Sequence, residues 1–188
     1  MSCEINLTEG HIVDSLPRLK VPLTQYLWIQ SRFNAANCIR NDAEFQTKFN
    51  GYYHVGRGGL WRNSFYDLMA ESKGKKLSFS WVLGELLGRT GRVEPSFASK
   101  LLATIDPTFP ALDFVVLQKL NLAFPYRDSR DRVGKIIEFY ESLCDLFESY
   151  LATERGVYSV VLFRKQFPKA NISEIKMLDL AISQAKWR

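Results

Sequence analysis

The stretch from Ser78 to Ile105 holds the groups best suited to meeting an anion. Gly88-Arg89-Thr90-Gly91-Arg92-Val93 is a tight, glycine-bearing turn, and Pro95-Ser96 opens the helical pattern behind it. Backbone N–H groups freed at such a turn and at the following helix N-terminus can hold a phosphate without reading sequence. Arg89 and Arg92 add charge, while Gly91 and Ser96 complete the segment that would touch the phosphate. The plainer reading of the same residues is an αα-hairpin with two surface arginines.

Other chemistry is sparse. Asp113 stands just before the apolar run Phe114 to Leu120, where a carboxylate caps a helix start. Lys100 lies one turn into the helix that begins near Ser96, and by itself reads as a solvated lysine. His11 and His54 have no partner at ligand spacing, so no metal site is expected. Cys3, Cys38 and Cys144 are odd in number and far apart, matching neither a disulfide framework nor a paired metal motif, and they read as reduced thiols. Arg57-Gly58-Gly59 is not a dinucleotide fingerprint, because no strand precedes it and the glycine spacing is wrong.

These residues need a frame, and the periodicity supplies one. Val21 to Ile39 reads as a helix entered at Pro22, and Asn41 or Asp42 caps a shorter one running to Tyr53. Leu60 to Ser72 resumes the pattern after the break at His54 to Gly59, and Ser78 caps a helix whose buried face is Phe79, Val82, Leu83, Leu86 and Leu87. Ala98, Leu101, Leu102 and Ile105 mark the next, then prolines at 107 and 110 interrupt. A short helix follows Asp113. After the break from Pro125 to Ser129, the longest helix runs to about Ala152, with Ile136, Ile137, Tyr140, Leu143, Cys144, Phe147 and Leu151 buried and Glu138, Glu141, Asp145 and Glu148 solvated. Val157 to Leu162 has strand-forming residues but continues through Phe163 and Phe167 like a helix. Ser173 caps the last, on an Ile175, Leu178, Ile182, Ala185 stripe, ending at Trp187-Arg188. The expected architecture is all-α, a single compact multi-helix domain over 1–188 with a helix-hairpin-helix at about 78–105.

The order of these pieces resembles the helix-hairpin-helix DNA glycosylases, the endonuclease III and adenine glycosylase superfamily. Its residues here are the hairpin, then Phe109-Pro110-Ala111-Leu112-Asp113, and upstream Gly51-Tyr52-Tyr53-His54 with Trp61-Arg62, over roughly residues 50 to 120. The resemblance implies that the protein binds double-stranded DNA and hydrolyses the N-glycosidic bond of a damaged or mispaired base, with Asp113 stabilising the positive charge that develops on the sugar. The alternative is a non-catalytic DNA- or protein-binding module on the same scaffold. The family's lysine nucleophile aligns with Ser96, so Lys100 is the substitute one turn on. Tyr52, Tyr53, His54 and Trp61 are the implied base pocket, near Arg57 and Arg62; core packing is the ordinary fate of such aromatics. The hairpin departs from the family form, with Glu94 where a phosphate would not welcome it, and the family's cysteine cluster is missing, so no cofactor is implied.

Composition agrees with a folded domain of this size. Apolar residues are 46% and charged residues 24% of 188, which excludes a disordered chain or a bare coiled coil. The net charge of +5 suits phosphate contact without demanding it. No apolar run approaches the roughly 18 residues of a membrane span, and the N-terminus lacks signal-peptide order, so a cytoplasmic protein with no membrane partner is expected. Oligomeric state is not legible.

Overall fold

Helix starts in this chain are set by short polar side chains that take the first free backbone N–H. Thr8 caps α1 (Glu9–Ser15), Asp42 caps α3 (Ala43–Tyr53), Ser78 caps α5 (Phe79–Thr90), Asp113 caps α7 (Phe114–Lys119), Asp131 caps α8 (Arg132–Leu151), Thr153 caps α9 (Glu154–Gln166) and Ser173 caps α10 (Glu174–Gln184). The remaining helices are α2 (Lys20–Ala35), α4 (Gly59–Ser72) and α6 (Pro95–Ile105), the last entered through a proline in its first turn. Short 3-10 turns at Leu16–Arg18 and Ile39–Asn41 join α1 to α2 and α2 to α3. The computed structural model describes residues 4–36, 38–125 and 131–186, and the fold is all-α, with no strand among them. Cys3, Tyr126 to Ser129 and the Trp187-Arg188 end lie outside the described residues.

The main apolar cluster draws on all the helices but α9, together with Ile5 and Leu7 of the N-terminal segment. A smaller one joins Leu19 and Leu23 to Val160 and Phe163, and α10 feeds both through Leu178 and Ile182 on one side and Met177 and Leu180 on the other. The turn from α8 into α9 is tight enough that a Cβ on Gly156 would lie 2.1 Å from the Tyr150 carbonyl oxygen. The segment 154–166 is helix, as its continuation through Phe163 predicts.

Three readings need correction. The helix at residues 9–15 has no counterpart in the sequence reading; it starts at a reciprocal cap between Thr8 and His11, where histidine stands in for the usual acid. The helix read to Ile39 ends at Ala35, because Lys73 Nζ donates to the Asn34 and Ala36 carbonyls and the chain turns to bury Ile39. The last helix shows no single buried stripe: every residue from Ile175 to Ile182 is buried, since α10 is enclosed by α1, α7, α8 and α9.

Candidate functional site

Asp113 gets its place from the loop between α6 and α7. Ser96 Oγ donates to the Leu112 carbonyl at 2.9 Å and Ser99 Oγ accepts from the Leu112 N–H at 2.8 Å, so both polar groups of that residue are held by α6. Tyr140 Oη donates to the Pro110 carbonyl at 2.8 Å, and Ser173 Oγ donates to that of Pro107. A loop tied at this many points delivers its last residue to one position. There Asp113 Oδ1 accepts from the Val115 N–H at 2.9 Å, and Oδ2 lies 3.8 Å from Lys100 Nζ. The side chain keeps 33% of its surface open.

Lys100 is not a solvated lysine. Ser96, Ser99 and Lys100 fall on the face of α6 that meets the loop, so the ammonium is drawn inside, 6% exposed, donating to the Tyr53 carbonyl at 3.1 Å. Burial lowers its pKa, against the pull of Asp113 and Asp179.

Asp113 opens onto a cleft of about 380 Å³, inside the roughly 300–1,000 Å³ range of small-molecule pockets. One wall is the end of α3, Gly51 to His54; another is Ala111, Asp113 and the first turn of α7; Pro22 and Gln25 of α2 form the rim, and α10 forms the floor. Tyr52, Tyr53 and His54 are thus brought to Asp113. His54 ends α3 in the left-handed region, φ 54°, which turns the chain away at the cleft edge. Lys100 does not line the cleft and sits behind its wall. A larger cavity, about 490 Å³ between the N-terminal segment and the α8–α9 corner, contains none of the sequence-predicted residues.

The floor carries two residues that sequence reading missed. Lys176 Nζ and Asp179 Oδ2 are 2.5 Å apart, with side chains 10% and 8% exposed, and the ammonium lies 4.8 Å from the Tyr26 ring centroid and 5.6 Å from that of Tyr52. Burial works against the Lys176 charge, but the Asp179 carboxylate outweighs it and raises the ammonium well above its ordinary value. Burial also pushes the Tyr26 phenol up to about 12 and raises that of Tyr52, so both remain hydrogen-bond donors. The available signal was a Lys and an Asp at i, i+3 inside the apolar run Ile175 to Ile182.

Trp61 is elsewhere, stacked on Phe65 at 5.2 Å and against Phe97 at 4.8 Å, as a packing residue of α4 on α6. Arg62 is half-buried on α4. The basic residues divide by partner. Arg57 is bound through Nη2 to both oxygens of buried Glu94, at 2.8 and 2.9 Å, so Glu94 points inward and away from any ligand at the turn. Arg89 is bound to Glu71 at 2.7 Å and Glu85 at 3.1 Å. Arg92 is exposed and makes no ion pair among the described residues. At the turn itself Gly91 takes the left-handed conformation, φ 66°, and no side chain caps the start of α6, leaving the Ser96 and Phe97 N–H groups free of intrahelical partners.

No protein-family model matches the chain, and no curated protein and no solved structure matches it either. Among the described residues no group of histidine, cysteine and carboxylate side chains is arranged to hold a metal ion, and no helix is long and apolar enough to cross a membrane.

Proposed function

We propose that the protein binds duplex DNA through the α5–α6 turn, read as a helix-hairpin-helix, and hydrolyses the N-glycosidic bond of a base drawn into the cleft. The observation that carries this is the double setting of one carboxylate: Oδ1 of Asp113 caps α7, and the side chain, a third of it open, lines a cleft walled by Tyr52 and His54, with the Lys100 ammonium 3.8 Å from Oδ2. A fixed anion beside the sugar favours the oxocarbenium-like transition state, in which the C1′–N bond breaks with its electron pair leaving on the base. Water then adds its oxygen to C1′, and its proton ends on the base. The uncapped start of α6, Gly91 and unpaired Arg92 supply the phosphate contact. The Lys100 amine, bonded to the Tyr53 carbonyl behind the cleft wall, favours hydrolysis over attack by lysine.

Asp113→Asn is the decisive variant, since asparagine caps a helix about as well as aspartate but carries no charge. It should fold and keep the parent's duplex affinity, with a melting temperature lowered by the loss of the buried Lys100 ammonium's carboxylate partner, and lose base release by at least about 10²-fold on a panel of damaged and mispaired duplexes. Unchanged base release by the variant, or none by the parent across the panel, overturns the reading.

A further inference from the structure

A buried ammonium–carboxylate pair contributes little to a fold, because removing both charges from water costs about what their attraction returns. Lys176 and Asp179 nevertheless form such a pair at the bottom of an open cleft, where an apolar pair would pack as well. Each has capacity left. The ammonium has three donors and gives one to Asp179 and another to the Tyr52 hydroxyl, leaving one; the carboxylate has two oxygens, and among the described residues only Oδ2 is engaged. Tyr52 lines the adjoining wall, with the Lys176 ammonium 5.6 Å from its ring centroid.

We propose that the Lys176–Asp179 pair reads the base in the cleft, and that its ligand is a 6-oxopurine of the guanine type. Asp179 can only accept and Lys176 can only donate, so the matching edge must set N–H donors beside an acceptor. Guanine places N1–H and N2–H beside O6: two donors for the carboxylate and a carbonyl oxygen for the ammonium. Inosine lacks the 2-amino donor, and adenosine offers one donor beside a ring nitrogen, so each makes fewer contacts. The cleft volume of about 380 Å³ accommodates a purine nucleoside rather than a dinucleotide.

This inference rests on reading the cleft as a base pocket, but free nucleosides test it without DNA. Titration of the ¹⁵N-labelled protein with guanosine, inosine and adenosine at millimolar concentration should shift the amides of residues 51–54 and 176–180, with affinity falling in that order. Asp179→Asn should abolish the preference for guanosine over adenosine. Lys176→Met alone would leave a buried carboxylate unpaired, so the double variant Lys176→Met/Asp179→Leu is the control; it should keep the parent melting temperature and bind guanosine at least tenfold more weakly. Adenosine bound in preference, no shift with any nucleoside, or full guanosine affinity in the double variant overturns the assignment. The two readings fail separately: nucleoside binding without base release from any duplex sinks the proposed activity and leaves the floor standing, and base release without nucleoside-induced shifts does the reverse.

Discussion

A carboxylate that caps a helix has one oxygen committed and one to spare, and what lies near the spare one decides whether the residue is only structural. For Asp42 it is Arg32, whose Nε is 2.6 Å from Oδ2 while Oδ1 takes the Phe45 N–H. The Arg32 hydrogen bond and then the Phe45 N–H hold the Asp42 carboxyl below its ordinary value. Its stabilisation is therefore complete above the unfolded pKa of about 3.9 and is lost as pH falls through the lower folded value. Parent and Asp42→Asn should differ in melting temperature at neutral pH and converge in strong acid; a gap independent of pH would remove the ion pair from the account. For Asp113 it is the Lys100 ammonium, 3.8 Å from Oδ2, while the open third of the side chain borders the cleft. For Lys100 it is the Tyr53 carbonyl, and the parent should accordingly give no adduct on borohydride reduction during turnover, while Lys100→Gln should release base within about tenfold of the parent. A trapped adduct abolished by Lys100→Gln would restore the amine as nucleophile.

Among the elements, α6 is the one that organises the site. Its serines hold Leu112 by both backbone groups, so the position of Asp113 depends on hydroxyls a helical turn apart on another helix. Ser99→Ala leaves the buried Leu112 N–H without an acceptor, at about 1–3 kcal/mol. It should lower both the melting temperature and base release, and Asp113→Asn/Ser99→Ala should be no slower than Asp113→Asn; further slowing in the double variant would mean that the serine acts on something besides the aspartate. The helices themselves were legible because caps and periodicity are local: Ser78, Asp113 and Ser173 each announce a start within a few residues. What was hidden depends on distance. The serine bonds to Leu112 join residues 13 and 16 apart, Lys100 reaches a carbonyl 47 residues away, and nothing in a helical pattern records either. The burial of α10 on all sides was hidden for the same reason, and with it the pairing of Lys176 with Asp179.

For the molecule as a whole, +5 is a poor guide to where a polyanion would touch. Arg57 and Arg89 are committed to carboxylates of the chain itself, whereas Arg92 stands free at the turn. Duplex affinity should thus fall with salt, and Arg92→Ala should weaken binding to every sequence and shallow the log–log slope by about 0.9, the share of a single phosphate. Arg57→Ala should instead lower the melting temperature, by leaving Glu94 buried and unpaired, with little change in slope. An equal change of slope in both variants would move the interface away from the turn.

The helix that floors the cleft also belongs to both apolar clusters, and this sets two selections against each other. Under pressure for heat resistance alone, positions 176 and 179 would drift towards leucine and methionine, since apolar pairs of similar volume are at least as stable in such surroundings. The survivors would fold well and hold an empty, greasy hollow. A breeding scheme that screens thermal endurance without a ligand present would therefore erase the chemistry at the bottom of the cleft first, and laboratory lineages of this protein would keep the pair only where binding was scored in every round.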